Sequence, residues 1–387
     1  MDFELTEDQT IFRDSVRRFA EDNIASGALK RARNPGYPWD VAEMLAAQGL
    51  MGVTMAESDG GQGGTLMDAV LAIEQIALVC PRGSDVFQAG NFGPARTLAE
   101  YGTPEQKEKY LKPVVEGHGL ISIGMSEPDA GSALTDLKTR AEADGTGYRV
   151  NGTKIFTTHS YDATTILAYV RFGPGTDGIG SVLINFEADG VSFGKQSKFM
   201  TGENWRQVYL ENVFVPAEDV LLKEGGFRKQ MAGFNAERIG NSARSLAFGR
   251  HAFNIAREHA TVRKAFDRLL CDFQGIQWKF AEMAMKLEAA QLMLYKAVVA
   301  ADRGLPEAMG TSMAKHMCNQ HGFDVANEAM QVLGAMGFSE ETLIDYCMRR
   351  VRGMQIAGGS LEVMKNRIAE GVFERRFPQR PPKLGAP

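Results

Sequence analysis

Met125-Ser-Glu-Pro-Asp-Ala-Gly-Ser132 stands where the texture of the chain changes, and the residues on either side of it set the fold. Upstream, residues 1–118 read as helical. Thr6 to Gln9 and Thr103 to Gln106 both fit the T-x-x-Q capping box, in which a hydroxyl and an amide satisfy free N–H groups at a helix start, and Pro104 takes the first helical position of the second. One helical stretch passes through Met44–Ala47 and ends at Gly49. Another, Leu66 to Val79, ends at Cys80-Pro-Arg-Gly83, and the run MAESDGGQGG from Met55 to Gly64 between them is a loop. Downstream, residues 119–224 carry short β-rich runs: Ile166–Phe172, Ser181–Phe186 and Gln207–Val215. Asp144-Gly145, Asn151-Gly152 and Asp177-Gly178 give turn signals between them, the pattern of a small antiparallel sheet domain. Residues 225–377 are helical again. Ile276, Phe280, Met283, Leu287, Ala290, Leu294 and Ala297 step by four and three, the seam of a long helix in a bundle. Breaks fall at Gly304-Leu305-Pro306 and around Gly334–Gly337, and a Pro-rich tail covers 378–387. The expected class is α+β: helical domain, β domain, four-helix bundle, tail.

Composition bounds the function. The 387 residues, 44% of them hydrophobic, suit two or three domains with a sizeable core. A net charge of −5, with Lys and Arg scattered rather than blocked, argues against nucleic-acid binding. Cys80, Cys271, Cys318 and Cys347 stand far apart with no CxxC pair, which fits a reducing compartment and argues against a disulfide framework or a zinc site. The N-terminus is acidic and lacks the apolar run of a signal peptide, and no run of 18 apolar residues exists. The expectation is a cytoplasmic protein without a membrane span.

No G-x-S-x-G elbow, P-loop or HExxH is present, and His316 and His321 are spaced by five, which does not put them on one helical face. Three segments remain as carriers of chemistry. Ser126–Ser132 offers hydroxyls and a glycine through which backbone N–H groups approach a ligand, or it is a tight connecting loop. Phe234-Asn-Ala-Glu-Arg238 reads as the opening of a bundle helix, with Asn235 as N-cap, Glu237 at the positive helix end and Arg238 as a surface cation or phosphate partner. Gln355-Ile-Ala-Gly-Gly-Ser-Leu-Glu362 makes a gap for a flat ligand or anion at a helix N-terminus, or is a turn.

The order and spacing of these segments resemble the acyl-CoA dehydrogenase family over essentially the whole chain. Other matching pieces are Asn151–Thr158, Val213–Pro216, Arg263-Lys-Ala-Phe266, Gln331-Val-Leu-Gly334 and Gly358–Glu362. The resemblance implies a homotetramer, a dimer of dimers, with FAD between the β domain and the bundle and its adenine end reaching a neighbouring subunit. It implies flavin contacts from residues 123–126, Ile123, Met125 and Ser126 among them, and from Ser132, with Phe156, Thr157 and Thr158 flanking the ring. Arg263, Phe273, Gln274, Gln331, Gly334 and Ala335 would hold the pyrophosphate and adenine, and Ser360 and Glu362 would close over the cofactor. Ser132, Asn235, Arg238 and Gly359 would hold the acyl-CoA thioester, and an electron-transfer flavoprotein would take the electrons.

The sequence departs from the family pattern at four places: Phe156 for Trp, Asp267 for Gly, Ala335 for Gly, and Gly358 where most members carry the glutamate base. Members without that glutamate resemble isovaleryl-CoA and long-chain dehydrogenases, whose base comes from the helix that here holds Glu237. Glu237 is therefore the expected base, with Glu362 as its rival. Arg82 sits where glutaryl-CoA dehydrogenases resemble this chain and bind their substrate. It reads either as a two-pronged clamp for a terminal anion or as a solvated cation after a helix end. The expected activity is α,β-dehydrogenation of a short acyl-CoA, with a desulfinase, decarboxylase or enoyl-CoA reductase chemistry as the alternative.

Overall fold

Glycine and small residues decide where the long elements of this chain start and how closely they pack. A computed structural model describes residues 4–223, 225–304 and 308–380. The first 118 residues form α1 (Glu7–Asn23), α2 (Ala28–Arg33), α3 (Trp39–Ala47), α4 (Leu66–Val79), α5 (Gly83–Asn91), α6 (Gly93–Tyr101) and the short turns α7 (Pro104–Gln106) and α8 (Lys112–Val115). Both T-x-x-Q capping boxes form as read. α4 is buried from Leu66 to Ala77, and its first two free N–H groups, Leu66 and Met67, donate to the Asp302 carboxylate at 2.8 and 3.0 Å. An anion at the positive end of the central helix thus ties the N-terminal helices to the bundle.

The β region runs β1 (Ile121–Gly124), β2 (Arg140–Asp144), β3 (Gly147–Thr158), β4 (Thr165–Arg171), β5 (Ile179–Asn185), β6 (Val191–Phe193), β7 (Ser197–Lys198), β8 (Asn204–Pro216) and β9 (Val220–Leu222). Among the described residues the sheet order is β6-β8-β3-β2-β4-β5-β9, with β1 beside β4 and β7 beside β8. Two expectations are corrected here. The sheet is mixed rather than antiparallel, because β1 runs parallel to β4. Asn151-Gly152 is not a turn: it lies inside β3 at a register shift, where a Cβ on Gly152 would stand 2.3 Å from Thr139 Oγ1. A glycine that admits a neighbouring backbone looks, in sequence, like a glycine that turns the chain.

The bundle consists of α9 (Gly226–Val262), α10 (Gln274–Asp302), α11 (Ala308–Leu333), the single turn α12 (Ala335–Phe338), α13 (Ile344–Met354) and α14 (Leu361–Val372). A small hairpin, β10 (Lys264–Ala265) and β11 (Arg268–Leu269), follows α9. A third correction concerns α9. It opens at Gly226, not at Asn235, so Asn235 is an interior residue and caps nothing. Its start carries no capping side chain; Gly226 sits there because a Cβ would meet Leu222 Cβ at 2.6 Å. The hairpin turns through Phe266 and Asp267, both at positive φ (49° and 61°), which is why a glycine suits position 267. The break expected at Gly304-Leu305-Pro306 follows the end of α10, with residues 305–307 outside the described residues, as is the tail beyond Arg380.

α9 and α11 run side by side through Ala252, Ala256 and Ala260 against Ala326 and Ala329. Their backbones touch where Gly249 faces Gly322, and a Cβ on Gly322 would stand 2.3 Å from the Ser245 carbonyl. Gly322→Ala is expected to lower stability by about 1–3 kcal/mol, since backbone must move to admit the methyl. Urea unfolding checks it, and an unchanged midpoint would mean the helices part freely.

Candidate active site

Glu237 lies three turns into α9 and faces the N-terminal helices. Its Oε2 accepts from Gln88 Nε2 of α5 at 2.7 Å, and its Oε1 accepts from Asn241 Nδ2 at 2.9 Å. Space for the carboxylate comes from Gly93, whose Cβ would stand 3.2 Å from Oε2. The residue keeps some exposed surface, yet protein surrounds its carboxylate. Burial raises its pKa, and the Arg244 charge, Gln88, Asn241 and Lys315 offset that only in part. Tyr169 of β4 feels the same carboxylate: burial, then Glu237, hold its hydroxyl protonated well above the usual range.

The glycine turn between α13 and α14 converges on this space. Gly358 and Gly359 are left-handed (φ 69° and 90°). A Cβ on Gly358 would approach Lys315 Cε, Phe234 Cε1 and Asn241 Nδ2 at 3.7, 3.8 and 3.9 Å. A side chain at position 358 would therefore reach toward the amide that holds Glu237. Lys315, fully buried on α11, donates to the carbonyls of Met354, Ala357 and Gly359 at 3.3, 2.7 and 2.6 Å. Burial and then Arg238 bring its ammonium down to about 7. Arg238 donates to Gly358 O and to Asn235 Oδ1. Ser360 caps α14. Glu362 is exposed on the first turn of α14 and bonds back to its own N–H and Ser360, which lower its pKa, so the rival carboxylate lies outside this cleft.

Arg82 departs from the reading of a solvated cation after a helix end. It is 1% exposed, not solvated. Its guanidinium donates to Asp85 (2.9 Å), to Glu203 from the strand region before β8, and to Gly36 O (2.8 Å). Arg350 of α13 bridges the same two carboxylates at 2.6 and 2.9 Å, and Arg244 of α9 bonds Asp85. Burial would push Asp85 up, but Arg350, Arg244 and Arg82 outweigh it and hold the carboxyl well below its usual range. A substrate anion clamped by Arg82 would have to displace a carboxylate already there.

The loop after β1 is set from beneath by Glu127, which accepts from Thr139 N (3.0 Å), Lys138 N (2.5 Å) and the buried ammonium of Lys154 (2.7 Å). This leaves Ile123, Met125 and Ser126 half-exposed and Ser132 exposed. Phe156 is held at φ 54°, half its surface open, with its ring 4.8 Å from Trp205. Thr157 is buried with an unpartnered hydroxyl and Thr158 half-buried. An open aromatic face beside a polar loop fits the ring of a flavin.

The remaining expected cofactor residues lie elsewhere. Gln331, Gly334 and Ala335 line a cavity of about 280 Å³ at the end of α11, and Arg263, Phe273 and Gln274 flank the hairpin at the same end of the bundle. From Glu237 to Arg263 along α9 is about 39 Å at 1.5 Å per residue.

Gln88, Asn241, Arg244 and Lys315 escaped the sequence reading, and Glu127 entered it only as a member of the Ser126–Ser132 segment. For Asn241 and Arg244 a signal existed: with Glu237 they fall at i, i+4 and i+7, one face of α9. The others meet the site only through tertiary packing.

Models described as acyl-CoA dehydrogenase N-terminal, middle and C-terminal domains match residues 6–118, 122–213 and 224–373. A short-chain-specific acyl-CoA dehydrogenase of Clostridium acetobutylicum is 32% identical over 96% of this chain and 100% of its own length. A 3-sulfinopropanoyl-CoA desulfinase of Paraburkholderia xenovorans is 29% identical over 98% and 99%. The solved butyryl-CoA dehydrogenase of Megasphaera elsdenii superposes with a TM-score of 0.89 at 30% identity, covering 96% of this chain and all of the other.

Proposed function

Because this chain belongs to the acyl-CoA dehydrogenase family, we propose that Glu237 is the base that removes the α-proton of a short, electrically neutral acyl-CoA. The protein is an FAD-dependent oxidoreductase acting on CoA thioesters. Bound FAD supplies the acceptor for the hydride that leaves the β-carbon. The observation that carries the reading is a largely buried carboxylate aimed by Gln88 and Asn241, with the Cβ direction of Gly358 pointing at the Asn241 amide. One carboxylate fits that space, and this chain puts it on α9. Desolvation raises its proton affinity toward that needed to accept a proton from carbon. Arg238 and Asn235, joined at 2.9 Å beside the glycine turn, are read as the contact for the thioester arm of CoA, with Ser132 and Gly359 at the cleft edge.

A neutral acyl end follows from Arg82, whose charge Asp85 and Glu203 already answer. Butyryl- and isovaleryl-CoA are expected to bleach the flavin faster than glutaryl-CoA or 3-sulfinopropanoyl-CoA. Faster bleaching by the anionic pair, or release of sulfite or carbon dioxide from them, would move the assignment to the desulfinase or decarboxylase chemistry.

The 39 Å gap supports a cofactor shared between two copies, within the family's dimer of dimers. Trp278, Met285, Leu292 and Val299 support it further: they form an exposed apolar stripe along α10 at spacings of seven. Light scattering that found a monomer with a full complement of FAD would sink this. An electron-transfer flavoprotein is the proposed electron acceptor. Among the described residues no helix is long and apolar enough to cross a membrane.

A further inference from the structure

We propose that Arg244 is a positioning residue for Glu237, acting through Asn241 to aim the carboxylate and keep it ionised in a site that disfavours charge. The proposal deepens the reading of Glu237 as the base and rests on it. Arg244 Nη2 donates to Asn241 Oδ1 at 2.6 Å, and Asn241 Nδ2 donates to Glu237 Oε1 at 2.9 Å. The other end of the guanidinium bonds Asp85, which Arg82 and Arg350 also hold. A fixed chain of bonds thus runs from a three-domain ion cluster to the reacting carboxylate.

Charge argues the same way. Arg82, Arg244 and Arg350 stand against Asp85, Glu203 and Glu237, three cations for three carboxylates, all well removed from water. Asp85 and Glu203 are each held by two or more guanidinium groups, so Glu237 is the member with least claim on a cation of its own. Arg244 is the one of the three arginines that reaches it. Removing that charge leaves three carboxylates to two guanidinium groups, and the group that takes up a proton is the one hydrogen-bonded only by neutral amides. The bond geometry also fixes the amide of Asn241, whose Nδ2 must point at Glu237 because its Oδ1 is occupied.

Other groups facing Glu237 are Gln88 of α5, Tyr169 of β4 and Lys315 of α11. Lys315 is the second cation felt there, but its three hydrogen bonds go to the glycine turn, so it contributes charge without orientation. His159, near the ion cluster, is kept neutral by burial and by Arg82, its pKa down to about 3, and does not titrate in the working range.

The test is the pH dependence of flavin reduction by butyryl-CoA in single turnover, using FAD-loaded Arg244→Met and Asn241→Leu. Asn241→Leu keeps the Asp85–Arg244 pair and protects against a folding failure in the first variant. A carboxylate whose cation is lost binds its proton more tightly and acts as a base only at higher pH. The acid limb is therefore expected to move up by about one unit, a tenfold rate loss on the acid side, with the alkaline plateau lowered as the aim is lost and KM little changed. Limbs that coincide with wild type in both variants would overturn the proposal, whatever happens to Tm. Glu237→Gln run beside them separates the two readings. If it is inactive while the other limbs stay put, only the positioning role fails; if it reduces flavin with the wild-type limb, the base assignment fails.

Discussion

Glu237→Gln is expected to keep its FAD and lose reduction by acyl-CoA, with the single-turnover rate down by a factor of about 10²–10⁴, the range for losing a positioned general base. The substitution preserves size, so the cleft and the flavin loop at Ser126–Ser132, which does not touch α9 through this residue, stay in place. What changes is the number of acceptors. Gln88 Nε2 and Asn241 Nδ2 both aim donors at the carboxylate, and an amide offers one oxygen to two donors. One N–H then faces another, which is expected to cost about 1–3 kcal/mol of stability and to show in Tm alongside the kinetic loss. In the wild-type enzyme the reductive rate should fall as pH drops through the pKa of Glu237. Burial raises that pKa, so the limb is expected above the ordinary carboxylate range. A variant that bleaches at the wild-type rate would remove Glu237 from the reaction and return the search to the glycine turn.

The proposed exchange of Glu237 for Gly358 came from the family resemblance, and the approach of a Gly358 Cβ to Asn241 Nδ2, which donates to Glu237, supports it. Periodicity exposed the bundle seam equally well: Met283, Leu287, Ala290, Leu294 and Ala297 are all buried on α10. What sequence missed is where glycine has more than one use. Gly152 permits a close approach within β3, and Gly226 starts a 37-residue helix without a cap, so the strand was broken in the reading and the helix begun nearly three turns late. Arg82 was misjudged for a related reason. Its local context, a residue following α4, describes a solvated cation. Its partners come from β-region residue Glu203 and from Asp85, which shares them with Arg244 and Arg350, positions 162 and 268 residues downstream of Arg82. No window along the chain contains that cluster.

The same cluster makes Arg82→Ala the most destructive single change expected outside the reaction itself. Asp85 and Glu203 would remain buried with one cation fewer, and a buried ion pair broken on one side costs about 3–5 kcal/mol. Because the cluster joins α5, the β region and α13, the loss should loosen the contact of the three regions and not only a local turn. Arg82→Lys is expected to recover part of it: an ammonium can meet one carboxylate but cannot span Asp85, Glu203 and the Gly36 carbonyl as the planar guanidinium does. pH sharpens the distinction. Asp85 is held below its unfolded pKa, so its contribution is fully present above about pH 4 and lost as pH falls through the folded value. The wild type should therefore keep this stability at pH 5, while Arg82→Ala should already lack Arg82's share of it at pH 7, with Arg244 and Arg350 still holding Asp85. An arginine whose main role is to grip an anionic acyl end would behave differently, with Tm unchanged and KM raised for glutaryl-CoA alone. Measuring Tm together with KM for butyryl- and glutaryl-CoA decides between the two, because an internal cation fails for every substrate and a substrate clamp fails for one.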